Sequence, residues 1–146
     1  MKKRRASKGF TLVEMMIVIA ILAILYSIAA VNIMGLQTEA KVAKTNGDLK
    51  TLKLGLDSYI KNNNTCPKKE DYQRILIRET SAIITGNLFD PFGRTMNTLY
   101  SFEVSGNKEN YVVYSIGQKK DGKSSIGNDG RVLTEGSAIF ETNGYD

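Results

Sequence analysis

Residues 9–31 read GFTLVEMMIVIAILAILYSIAAV, and from Phe10 onward the stretch is almost continuously apolar. It carries one charge, Glu14, and the next charged residue is Glu39. A hydrocarbon core of roughly 30 Å is crossed by about 20 apolar residues in a helix, so this segment is long enough to span a membrane. Lys2, Lys3, Arg4, Arg5 and Lys8 stand directly before it, with no acid among them. Cationic flanks stay on the cytoplasmic side, which predicts an N-terminus inside and a C-terminus outside.

An ordinary secretory signal would be cut after its apolar core, at small residues, and Ala20, Ala23, Ala29 and Ala30 offer such places. The unusual features lie at the other end. Gly9 sits at the junction of the basic leader and the apolar run, and Glu14 falls inside the span. A carboxylate at that depth costs about 3 kcal/mol unless it finds a partner. Cleavage between Gly9 and Phe10 would create a cation at the same depth, the new α-amino group of Phe10. That amine is too near its own Glu14 along one helix to meet it well. A neighbouring subunit shifted along a bundle axis could present its amine there.

The string Lys8-Gly9-Phe10-Thr11-Leu12-Val13-Glu14 resembles the prepilin signature of type IV pilins and type II secretion pseudopilins. The resemblance implies a prepilin peptidase that cleaves between Gly9 and Phe10 and methylates the amine of Phe10. It further implies helices that bundle into a filament and a Glu14 that neutralises the N-terminal amine of an adjacent subunit.

The chain has 146 residues and a formal charge of +5. Five of its twenty cations lie in residues 1–9; without that leader, fifteen basic side chains face fifteen acidic ones. The basic excess is therefore a targeting signal and no argument for a nucleic-acid surface. Histidine is absent, which removes histidine-based triads and most zinc sites. No phosphate-binding loop is present either, and the chain reads as a non-enzyme. Cys66, the one cysteine, cannot close an intrachain disulfide. It reads as a partly buried loop residue, with an intermolecular bridge or a reactive thiol as the alternatives.

Beyond the span, Val42, Leu49, Leu52, Leu56 and Tyr59 recur at helical spacing, and no proline intervenes. One helix is expected from about Thr11 to about Lys61, apolar all round in its first half and amphipathic in its second. It should stop at Asn62-Asn63-Asn64, because Asn accepts the left-handed conformation found past helix ends. A short second helix is expected over residues 69–79. Asp90-Pro91-Phe92-Gly93 fits a type I turn. Residues 98–104 alternate with period two, and Tyr111 to Ile116 are β-branched and aromatic; the two should pair antiparallel. Residues 137–141 suggest an edge strand. The fold class is α+β and pilin-like: a long N-terminal helix on a small antiparallel sheet. The expected parts are a leader (1–9), a membrane or filament-core segment (10–31), an amphipathic continuation (32–62) and a globular head (63–146).

Between the last two strands, residues 117–136 read as one long loop rich in Gly, Asp, Asn and Ser. Asp121, Asn128, Asp129 and Glu135 are hard oxygen donors of the kind calcium takes. A solvated loop of turn residues explains the same composition. The resemblance bears on the choice. Asp90-Pro91-Phe92-Gly93, Tyr114-Ser115-Ile116-Gly117 and Asp121-Gly122 are similar to landmarks of the major pseudopilin family of type II secretion systems. In that family the last loop binds calcium, which implies Asp121 and Asp129 as ligands with a backbone oxygen of Ser115 or Ile116. The chain also departs from the family. Val31 stands where proline is usual, and Lys119, Lys120 and Lys123 crowd Asp121.

The function that follows is a structural pseudopilin of a type II secretion system. It would insert in the inner membrane with its head in the periplasm and lipid around its helix. An inner-membrane assembly platform would then assemble it, with further pseudopilins, into a periplasmic filament. A type IV pilus or competence pilin is the alternative in the same class. A single-pass anchored binding domain that never polymerises is the alternative from another.

Overall fold

The computed structural model describes residues 9–80 and 82–145; of Val31, Asn32 and Met34 only the backbone is described. The leader cations at positions 2–8, on which part of the sequence reading fell, lie outside the described residues. The chain divides into two compact units, Met1–Gln37 and Thr38–Asp146.

Helix α1 runs from Leu12 to Asn63 without interruption. Thr11 opens it. The backbone N–H of Glu14 donates to Thr11 Oγ1 at 3.2 Å, and the backbone N–H of Thr11 donates back to Glu14 Oε2 at 2.9 Å. This reciprocal arrangement is a capping box, which satisfies two otherwise orphaned donors of the first turn. The far end closes as Asn62-Asn63-Asn64 predicts: Asn64 takes φ 54°, and its N–H bonds to Ile60 O at 2.7 Å.

In the second unit, α1 buries a stripe. Thr45, Leu49, Leu52 and Leu56 are fully buried and recur at the spacing of one helix face. At about 100° per residue, Asp48 and Asp57 fall on the two flanks of that stripe. Each receives a hydrogen bond from a tyrosine of the sheet region, Tyr100 just before β1 and Tyr111 at the start of β2: Tyr100 OH donates to Asp48 Oδ2 at 2.9 Å, and Tyr111 OH to Asp57 Oδ1 at 2.6 Å. The leucines supply apolar burial, and the tyrosine–aspartate pairs fix where the helix lies on the sheet. Burial, followed by the hydrogen bond to the neighbouring carboxylate, pushes both tyrosines well above their ordinary pKa.

The 69–79 segment begins as a 3-10 turn (Lys69–Asp71) and continues as α2 (Tyr72–Glu79). Gln73 is buried and acts as a backbone surrogate: its Nε2 donates to Leu88 O at 3.0 Å, and Leu88 N–H donates to its Oε1 at 2.8 Å. The turn at Asp90-Pro91-Phe92-Gly93 forms as expected, with Gly93 N–H bonding to Asp90 O at 2.9 Å.

The main sheet has three antiparallel strands in the order β1 (Ser101–Val104), β2 (Tyr111–Ser115), β5 (Ile139–Thr142). The strand expected over residues 98–104 starts late. Leu99 instead makes an isolated bridge to Phe89. Phe102, Tyr111 and Val113 belong to the core shared with the α1 leucines, and the partly buried Ile139 packs against it.

Residues 117–136 are not one loop. They contain a second antiparallel pair, β3 (Lys123–Ile126) and β4 (Val132–Glu135). The expected loop was a reading of composition, since Gly, Ser and Asp outnumber the β-formers. The pair forms because every residue of β2 is buried, so its outer face, Val112 and Tyr114, needs a cover. Ser124 and Val132 are buried with it, while Leu133 stays exposed.

Candidate functional site

Two places carry the residues singled out by the sequence. The first is the start of α1. Every large apolar side chain described between Phe10 and Ile28 is exposed. The helix is long and apolar enough to cross a membrane, with mean hydropathy 2.6 in its most apolar 18-residue window and none of that window buried. A continuous apolar surface of this size marks a membrane or protein partner. Ser27 does not interrupt it, because its hydroxyl donates to Ile24 O at 2.7 Å. Glu14 is the one charge, and within the chain its partner is Thr11, whose hydroxyl also donates to Oε2 at 2.9 Å. Thr11 was missed as a functional residue. The signal for it was in the sequence, as the T-x-x-E spacing of Thr11 and Glu14.

The second place is the join between β2, the 117–122 segment and β5. Ser115 Oγ donates to Asp90 Oδ1 at 2.8 Å, and Ile116 N–H donates to Asp90 Oδ2 at 3.1 Å. The carbonyl of Ile116 accepts from Gly122 N–H at 2.9 Å and from Ser137 Oγ at 3.2 Å. Asp121 Oδ1 accepts from Ser137 N–H at 2.9 Å and from Ser137 Oγ at 2.7 Å. The Ser137 hydroxyl, its N–H and, more weakly, the Lys119 charge hold the Asp121 carboxyl below the ordinary carboxylate range. Gly117 makes the approach possible. It takes φ 71°, and a Cβ there would sit 1.7 Å from the Ser137 carbonyl.

Of the four groups implied as calcium ligands, Ser115, Ile116 and Asp121 meet here, and Asp129 does not. Asp129 lies in the β3–β4 turn, where its Oδ1 accepts from Arg131 N–H at 3.1 Å. The length of β3, roughly 13 Å of extended chain, separates it from Asp121. Asn128 serves the same turn. Its Oδ1 accepts from Asn107 N–H at 3.1 Å, which ties the hairpin tip to the β1–β2 connection. Among the described residues no three His, Cys, Asp or Glu side chains gather as a metal cluster. One carboxylate, one carbonyl and one hydroxyl fall well short of the six to eight or so oxygens that calcium takes, so the four do not fit the ion as a set. Asp90 and Ser137 join the network: Asp90 stood out in the sequence only as the first residue of a turn, and Ser137 only as the start of an edge strand.

Cys66 is buried, and burial raises its thiol pKa to about 11. Its N–H is held by Lys108 O at 3.1 Å.

A helix with an exposed apolar first half, opened by a Thr11–Glu14 capping box just after Gly-Phe, defines a class of chain, and comparison with known proteins gives the family. The model of the prokaryotic N-terminal methylation motif matches residues 4–30. That of the type II secretion system (T2SS), protein G, matches residues 32–135, and the chain belongs to this family. It is similar to type II secretion system core protein G of Pseudomonas aeruginosa, with 30% identity over 136 residues, 83% of this chain and 89% of that protein. To the protein of the same name from Aeromonas hydrophila it is 42% identical over 82 residues, 56% of this chain and 57% of the other. To that from Klebsiella michiganensis it is 37% identical over 79 residues, 54% and 56% respectively. No solved structure matches this chain.

Proposed function

We propose that this chain is a pseudopilin subunit of a type II secretion system, anchored by α1 and assembled with other pseudopilins into a filament. The observation that carries the reading is the exposed apolar helix whose one charge, Glu14, stands four residues beyond Phe10. A prepilin peptidase cuts between Gly9 and Phe10 and methylates the Phe10 amine. The basic leader keeps that end cytoplasmic until then, with the head in the periplasm. In the bilayer, Thr11 supplies Glu14 with donors, which offsets part of the cost of a carboxylate in hydrocarbon. In the filament, apolar helices pack on one another without a preferred axial register. The meeting of Glu14 with a neighbour's amine supplies the register, because an unpaired ion there is disfavoured. The chain acts by packing and catalyses nothing.

Mass spectrometry of the protein purified from its own cells tests this. The expected N-terminus is N-methylated Phe10. A chain that keeps Met1 and its basic leader overturns the reading.

A further inference from the structure

The geometry points to a head closed without a metal ion: Ser137, backed by Asp90, does by hydrogen bonding what a bound cation would do by coordination. Three segments must converge here, namely the end of β2, the 117–122 segment and the start of β5. Ser137 touches all of them. Its hydroxyl lies 2.7 Å from Asp121 Oδ1 and 3.2 Å from Ile116 O, and it accepts from Lys119 N–H at 3.1 Å. Its own N–H adds a second bond to Asp121. Asp90 fixes the other side, taking Ser115 Oγ and Ile116 N–H on its two carboxylate oxygens.

The charges agree with this assignment. Asp121 is the only acid among residues 117–124, and Lys119, Lys120 and Lys123 share that segment. Three cations within two residues of one carboxylate, Lys119 among them acting on it, disfavour a divalent ion, whose sites concentrate negative oxygen donors. Asp129, the second acid implied as a ligand, is occupied in the β3–β4 turn, where it holds Arg131 N–H. The hairpin closes in turn onto the C-terminal tail, with Val132 N–H bonding to Tyr145 O at 2.7 Å and Tyr145 N–H to Gly130 O at 2.9 Å.

The test is thermal unfolding of the full chain in detergent, read through exposure of Cys66 to a maleimide dye. The midpoint is expected to be the same in excess EDTA and in excess calcium chloride. A midpoint lowered by EDTA or raised by calcium overturns the proposal. Ser137→Ala is expected to lower the midpoint by roughly 5 °C in either solution, and Ser137→Thr, which keeps the donor, to recover most of the loss. Asp121→Asn keeps an accepting oxygen and is expected to shift the midpoint less than the alanine change. An unchanged midpoint in Ser137→Ala, or a larger loss in Asp121→Asn than in Ser137→Ala, sinks it. If Ser137→Ala does not fold, the calcium comparison on the natural chain and Asp121→Asn still decide.

Discussion

Glu14 and Cys66 set the residue scale, and each leads to a measurement. Replacing Glu14 by Val removes the one charge from the apolar run and leaves its length intact. If Glu14 sets the register as proposed, membrane insertion is expected to persist while filament assembly slows severalfold. Normal filament yield from Glu14→Val counts against the register mechanism. For Cys66, burial disfavours the thiolate and raises the pKa to about 11. Alkylation of the folded chain should therefore be slow at pH 8 and speed up in denaturant. The neutral thiol also links stability to pH. This contribution is fully present below the ordinary thiol pKa of about 8.5 and is lost as pH rises through the folded value. Cys66→Ser is expected to flatten that alkaline limb of a stability profile. Single residues were legible when their chemistry was local. The T-x-x-E spacing of Thr11 and Glu14 marks the capping box, and Asn64 ends its helix by an intrinsic tolerance of positive φ. Asp90 and Ser137 act across 25 and 21 residues of chain, on Ser115 and Ile116, and no spacing announces that.

Among the elements, α1 is the best-read part, since its apolar run and its later stripe both have helical period. The stripe is also the part whose loss is easiest to weigh. Leu52 is fully buried against the sheet. Leu52→Ala is expected to cost about 3 kcal/mol of head stability, measured by denaturant unfolding. A cost below roughly 1 kcal/mol would mean that the helix does not pack as described. β1, β2 and β5 were readable from alternation and β-branched composition, within a few residues at their ends. The β3–β4 hairpin was not. Its strands are four residues each, and β3 reads Lys-Ser-Ser-Ile, which has little intrinsic preference for a sheet. It exists because Val112 and Tyr114 need a cover, a requirement set by β2 and invisible in residues 123–135 themselves.

Across the full chain, the two units make different demands. Among the described residues, the core of the second unit contains none before position 38. A chain beginning at Thr38 is therefore expected to fold as a soluble domain, with a melting midpoint within a few degrees of the intact protein in detergent. A truncated chain that fails to fold cooperatively would show that the apolar half of α1 is needed for the head. The order of residues was enough to read the membrane-length helix, the lone glutamate, the α+β class and the resemblance to pseudopilins. All of these rest on composition and on periods of a few residues, which act along the chain. Folding in three dimensions settled the rest: a hairpin covers β2, Asp121 and Asp129 stand apart, and Asp90 and Ser137 join the network at the end of β2. Those outcomes depend on which distant segments share a buried surface, where each polar group must find a partner wherever in the chain that partner lies.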